Sequence, residues 1–294
     1  MWRRILVIVG TLSVVVTLGV AAFVTWCGHQ TTARELRIFN VPPVDLGEET
    51  AHADPELGRR IVEIRNGCTD CHGKDLGGGI VINEPIFAVV SAPNITMTAL
   101  STWTDSEIAR AIRNGVRPDG RSVRLMPSDE YANLSRSDLA AIVKYLRRVP
   151  PAPPRLTSVT FGLVGNVLSA TGKLPRFFPA EIIDHAAPFL TKPAEAESVQ
   201  FGAYLVNSAC IGCHGRTLAG GPISGAPPEW PAASDLTPTG IGKWTDEQFL
   251  ATMRTGITPA GQELRAPMPV AAMKQMSDLE IRSIWLYLKT LSKS

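Results

Sequence analysis

The sequence predicts an all-α protein, with an N-terminal transmembrane helix followed by two small tandem helical domains joined by a proline-rich connector. Three observations carry that prediction. An uncharged apolar run opens the chain, one segment of about a hundred residues occurs twice, and the stretch between the copies is too rich in proline for a long helix.

The apolar run comes first. Arg3 and Arg4 precede an uncharged stretch from Ile5 to Thr25, bracketed by Trp2 and Trp26. Twenty-one residues at ~1.5 Å each make roughly 31 Å of helix, the thickness of a bilayer core. The arginines favour the cytoplasmic side, which sends everything after Trp26 outward. A cleaved signal peptide is the rival, but the run continues past the small pair Ala21-Ala22. Residues 1–27 are therefore expected as a retained anchor and 28–50 as a polar, proline-containing tether. "VTWC" lacks the small residues of a bacterial lipoprotein signal, so Cys27 reads as an unpaired thiol at the membrane surface.

The repeat sets the architecture. Cys68, His72, Met126 and Tyr145 recur 142 residues later as Cys210, His214, Met268 and Tyr287. Trp103 and Gly115 recur at an offset of 141, as Trp244 and Gly256. The domains span 51–150 and 195–294, with 151–194 as connector. "TDSE" from Thr104 and "TDEQ" from Thr245 are capping boxes whose helices stop at Gly115 and Gly256. "SRSD" from Ser135 and "SDLE" from Ser277 read as further capping boxes. The helices they open bury Leu139, Ile142, Val143 and Leu146 in one copy, and Ile284, Trp285 and Leu288 in the other. A helix is expected before each cysteine motif, near 55–65 and 197–207, and a short apolar piece in the connector near 161–168. No stretch alternates convincingly as a strand.

Bulk composition excludes little else. Of 294 residues 45% are hydrophobic, enough for real cores, and 25 glycines with 23 prolines promise many loops. A net charge of +2 with no basic arm or stripe offers nothing to nucleic acid.

The chemistry lies in "CTDCH" at 68–72 and "CIGCH" at 210–214. Two thiols with histidine directly behind the second read as c-type haem attachment. Each thiol adds across one vinyl group, and the imidazole beside them becomes the proximal iron ligand. Cys68, Cys71, Cys210 and Cys213 would thus carry two covalent haem c groups, with His72 and His214 on the irons. A zinc site would need all four thiolates together and has no use for two histidines. A thioredoxin-like pair needs a strand–helix setting that is absent, and a disulfide across two intervening residues is strained. Met126 and Met268, each followed by proline in a loop between helices, are the expected sixth ligands, a pairing that raises the potential. Met97 has no counterpart, whereas Met273 and Met276 align with Tyr131 and Leu134 and look like packing. His29, His52 and His185 fall in connectors and are not duplicated. The ligating imidazole usually gives its other N–H to a carbonyl, for which Pro93 and Ser234 are the candidates. "NIT" at 94–96 matches a glycosylation sequon, but its alignment with "DLT" makes it a pocket loop.

On these motifs, with the "MP" loops, "DLTPTGIGKWTDEQF", "AAIVKYL" and "SIWLYL", the chain resembles class I c-type cytochromes over 50–150 and 195–294. More narrowly it resembles the membrane-anchored cytochrome subunits of bacterial periplasmic alcohol, gluconate and aldehyde dehydrogenases. Those commonly have three haem domains, and this chain has two motifs. The resemblance implies a single-pass protein of the inner membrane with its haem domains in the periplasm. It would pass electrons from a dehydrogenase subunit to quinone or to another cytochrome or oxidase, and would not itself be an enzyme. A terminal-oxidase subunit and a dihaem enzyme such as a peroxidase are the alternatives.

Overall fold

The structure is a computed structural model that describes residues 2–292, apart from 156, 224, 225 and 227–229. Helix α1 (Trp2–Leu36) is apolar and long enough to cross a membrane, and no residue of its most apolar window is buried. It continues as helix past residue 27, so the first turns after the apolar run are rigid and the chain becomes extended only near residue 37.

The first half comprises α2 (Glu49–His52), α3 (Pro55–Arg60), α4 (Cys68–His72), a hairpin of β1 (Gly79–Glu84) and β2 (Ala88–Ala92), α5 (Met97–Leu100), α6 (Asp105–Asn114), α7 (Ser128–Tyr131) and α8 (Arg136–Leu146). The connector forms β3 (Val159–Phe161) and α9 (Leu163–Ala170). The second half follows with α10 (Val199–Ala209), α11 (Ile211–His214), α12 (Asp246–Thr255), α13 (Val270–Met273) and α14 (Asp278–Leu288).

Local signals account for most of these boundaries. Thr104 with Glu107 and Thr245 with Gln248 form reciprocal caps, and Gly115 and Gly256 close their helices at φ 66° and 76°, where a Cβ is strained. In each half the first and last helices cross at a glycine. A Cβ on Gly58 would stand 2.0 Å from the Ala141 carbonyl oxygen, and one on Gly202 would stand 1.8 Å from that of Ser283. Ala141 and Ser283 are equivalent at the 142-residue offset, so the two crossings are the same contact made twice. Ten residues separate Gly58 from Cys68 but only eight separate Gly202 from Cys210. The first half takes up the difference in a π-turn over Ile61–Arg65 and in Asn66-Gly67.

Each half closes its own core. Ile61, Leu139 and Val143 are at most 1% exposed in the first, and Phe201, Val206 and Ile281 are fully buried in the second. Phe249 stacks on Trp285 at 4.8 Å, and the indole N–H donates to Asp246 at 2.6 Å.

The sheet is a departure from the sequence reading. It is antiparallel in the order β1-β2-β3, with Ile82 opposite Val90 and Ala88 opposite Phe161. Its third strand arrives from the connector about seventy residues later in the chain, so no local pattern announces it. Beneath it Phe87, Val90, Leu174, Phe177 and Phe178 form a third apolar cluster. Among the described residues the second half shows the root of this hairpin, an isolated bridge between Gly221 and Ala233. The same third cluster turns the connector into a packed element.

The halves meet in a seam with approximate twofold logic. Asn66 donates to the Ser208 carbonyl at 2.7 Å, and these two residues occupy equivalent positions, each two before a cysteine motif. Equivalent residues touching one another lie on the local axis, so the two motifs flank it. Ile64 of the first half packs into the core of the second.

Candidate functional site

The two cysteine motifs are built alike. Each forms a short helix, α4 or α11, that ends at a positive-φ glycine, Gly73 (79°) or Gly215 (77°). The chain then turns back through Leu76 and Leu218, which hold φ of 56° and 60°, unusual for leucine. Both are buried, at 1% and 2% exposure, and each accepts a backbone bond from beyond the loop, Ile95 N–H to Leu76 and Leu236 N–H to Leu218. Apolar burial and these bonds offset the strain. Nothing in the sequence around either leucine signals that conformation.

These loops deliver a carbonyl to each imidazole. Nδ1 of His72 stands 2.8 Å from Pro93 O and that of His214 stands 2.8 Å from Ser234 O. A carbonyl only accepts, so Nδ1 carries the proton in both rings and Nε2 keeps its lone pair. Burial holds both imidazoles below the usual pKa against the opposing effect of the carbonyl, which favours the neutral ring that ligation requires. The "NIT" loop belongs to this arrangement. Asn94 is buried, its amide donates to Ala152 O at 3.1 Å and its oxygen receives Thr96 N–H at 2.8 Å, so it presents no surface for a glycan. Asp235 receives Thr237 N–H in the same way at 2.7 Å.

All four motif cysteines are free thiols. Burial pushes Cys68 and Cys210 up to about 12 and Cys71 up to about 11, and raises Cys213 as well. Among the described residues no three of His, Cys, Asp and Glu gather as a metal-binding group. The motif thiols therefore do not converge as a zinc site would require. Two thiols, a neutral imidazole with a free Nε2, and an adjacent apolar core make a donor set that fits covalent haem c. Cys213 is among the groups that raise Cys71, so the two motifs lie within electrostatic reach across the seam.

Met126 and Met268 lie in the loops before α7 and α13, half-buried against the first and second core. Met273 and Met276 are buried in the second core, and Met97 receives Arg147 Nη1 at 3.6 Å. His185 uses both ring nitrogens, one toward Ala180 O at 3.0 Å and the other toward Asn114 Nδ2 at 3.3 Å, which leaves it no lone pair for iron. His29 lines a cleft beside α1, and His52 ends α2.

Sequence reasoning missed the groups that hold the second motif. Arg176 of the connector donates to Gly212 O at 2.7 Å and pairs with Asp129 at 2.7 Å. Glu130 from α7 takes the Gly212 N–H; burial raises its carboxyl to about 7 against Arg176 and that bond. A Cβ on Gly212 would fall 1.5 Å from the Glu130 oxygen, so a side chain there would have to displace the Glu130 carboxylate. The first motif has Asp70 at that place, solvent-exposed, with its carboxyl raised by partial desolvation.

Comparison with known proteins agrees with this geometry. The model for cytochrome c matches residues 199–292, and that for cytochrome c oxidase, cbb3-type, subunit III matches residues 53–146. This chain carries a cytochrome c domain. The fructose dehydrogenase cytochrome subunit of Gluconobacter japonicus is 26% identical over 280 residues, which cover 85% of this chain and 55% of that one. The cytochrome c subunit of the alcohol dehydrogenase (quinone) of Gluconobacter oxydans is 26% identical over 248 residues, covering 76% and 51%. The cytochrome c subunit of the alcohol dehydrogenase (quinone) of Gluconacetobacter polyoxogenes is 25% identical over 276 residues, covering 83% and 58%. The cytochrome c domain is thus related to cytochrome c subunits of dehydrogenases at low identity, and the chain spans about half the length of the cytochrome subunits it matches.

Proposed function

We propose that the chain is a membrane-anchored dihaem cytochrome that carries electrons from a dehydrogenase to the respiratory chain. Two tandem cytochrome c domains would hold haem c through Cys68 and Cys71 and through Cys210 and Cys213, with iron between His72 and Met126 and between His214 and Met268. Haem c supplies a one-electron couple there. The observation that carries the reading is the duplicated donor set, with each ring fixed by a carbonyl at 2.8 Å and both motifs meeting at one seam.

The polypeptide contributes orientation, exclusion of water and spacing. Pro93 and Ser234 fix the tautomer and tilt of the two imidazoles. Glu130, Arg176 and Asn66 hold the two motifs against one another. Held by His72 and Met126 and by His214 and Met268, the irons would supply electron transfer alone, so the chain would act as an electron-transfer subunit and the dehydrogenase would do the chemistry. An acceptor in or at the membrane, such as a quinone or another cytochrome, suits a chain held there by α1. An inner-membrane location with the domains outward is supported by the apolar length of α1 and by Arg3 and Arg4 ahead of it.

A second reading, a subunit of a terminal oxidase, is favoured by the family model over residues 53–146. Purification from membranes in mild detergent separates the two, because a dehydrogenase flavo- or quinoprotein subunit copurifies on the first reading and oxidase subunits on the second. The dihaem reading itself is tested by mass. The mature protein is expected to be heavier than its polypeptide by two porphyrins, and ferric His/Met absorption should account for both. A mass equal to the bare polypeptide, or carbon monoxide binding rapidly at either iron, overturns it.

A further inference from the structure

We propose that the chain touches the bilayer at a second place, a rigid apolar patch of Ile86, Leu163 and Val164 that docks into the membrane surface beside α1. These side chains are 73%, 54% and 43% exposed. They come from two segments locked together, since Gly162 N–H donates to Phe87 O at 2.8 Å and Val164 N–H to Ile86 O at 2.9 Å. A Cβ on Gly162 would stand 2.0 Å from Pro85 O, and one on Gly165 would stand 2.0 Å from Phe87 O. The turn is seated on the start of α9 without slack.

The height of the patch follows from the register of α9 on α1. Thr31 Oγ1 donates to Asn166 O, and Arg34 Nη1 donates to Ser169 O at 2.7 Å; both pairs are 135 residues apart, so the helices run parallel. Arg34 also pairs with Glu181 at 2.6 Å, Arg124 with Glu35 at 2.5 Å, and Cys27 is fully buried. Carrying that register back sets Leu163 level with Gly28 and Val164 level with His29. Gly28 is two residues, or about 3 Å of helix, beyond Trp26, where the apolar run ends. Phe23 and Trp26, each 47% exposed, continue the same apolar surface on α1 itself. About 3 Å beyond the apolar run is within the headgroup layer, which adds roughly 5–7 Å to each side of the hydrocarbon core.

The occupant is lipid, because the patch is continuous with the face of α1 that lipid already covers. Residues 84–87 and 162–164 include no lysine or arginine, and Glu84 is exposed. The contact is therefore apolar, and zwitterionic lipid suffices. Docking would also set the height of the first motif. Strand β2 runs from Ala88 at the patch to Ala92, and the next residue, Pro93, is the partner of His72, a span of at most about 17 Å.

The test uses the full-length protein in phosphatidylcholine nanodiscs doped with a lipid that bears a photoactivatable carbene precursor high on its acyl chain. Adducts are mapped by peptide mass spectrometry. Peptides containing 84–87 and 163–166 are expected to be labelled about tenfold above the peptide at 36–40, which stands beyond the end of α1. The triple variant Ile86→Ser, Leu163→Ser, Val164→Ser is expected to lose those adducts and keep its haem absorption. Labelling confined to α1 overturns the proposal. So does a patch that cross-links to a second copy or to another subunit instead of to lipid.

Discussion

Asp138 and Glu280 stand at the same place in the two halves, the third residue of the last helix, and the seam treats them differently. Glu280 closes its own capping box: its carboxylate takes Ser277 N–H at 2.5 Å while Ser277 Oγ takes Glu280 N–H. The same buried carboxylate receives Arg60 at 2.7 Å and Arg65 at 2.5 Å from the other half. Asp138 is one methylene shorter, and its box is left half made. Ser135 Oγ takes the Asp138 N–H, but Ser135 N–H is received by Tyr204, whose hydroxyl then donates to Asp138 at 2.7 Å. Lys192 completes it at 2.7 Å. The sequence reading of "SRSD" as a full capping box is corrected accordingly. A duplicated domain can keep its fold while one copy closes a helix in cis and the other borrows its partner's side chain.

That contrast can be broken by mutation. The largest effect is expected at the motifs, where His72→Ala and His214→Ala should each remove one of two His/Met absorption signals and spare the other. Loss of both from a single change would mean that the halves do not fold independently around their cofactors. Arg65→Met leaves the Glu280 carboxylate buried beside a weaker partner and should cost about 3–5 kcal/mol in denaturant unfolding. Gly58→Ala and Gly202→Ala force a methyl into a backbone carbonyl, and each should cost about 3 kcal/mol. Equal losses would sharpen the equivalence of the two crossings, and a loss in only one would break it. Tyr204→Phe, which opens the borrowed cap, should cost about 1 kcal/mol.

A pH series probes the cis side of the seam. Burial tends to raise the Glu280 carboxyl, but Arg65, Ser277 N–H and Arg60 more than offset that, so it titrates below the ordinary range in the folded protein. A depressed acid contributes stability above its unfolded pKa and loses it as pH falls through the folded value. The thermal midpoint should therefore fall on acidification below about pH 4.5. In Glu280→Gln that part of the slope should be absent.

Much of this was legible in the residues. The membrane-length helix, the caps at Thr104 and Thr245 and the carbonyls of Pro93 and Ser234 depend on signals within one segment. What escaped were partners brought together from afar. Strand β3 completes a hairpin that ends seventy residues earlier, and Glu130 and Arg176 grip a glycine from another half and from the connector. Residues 28–36 read as polar tether because periodicity reports burial, and that stretch is helix supported on one face by α9.

The sequence by itself determined the two five-residue cysteine–histidine motifs and the loops whose carbonyls, 21 and 20 residues on, face their imidazoles. It also determined the apolar span of α1 and the bounds of α6 and α12, which are properties of local backbone and local polarity. The tertiary structure alone decided how the two copies face each other, which cap is borrowed, and how α9 and the turn before it sit against α1. Those depend on contacts between residues far apart in the chain, whose energies are comparable to one another and leave no periodic trace.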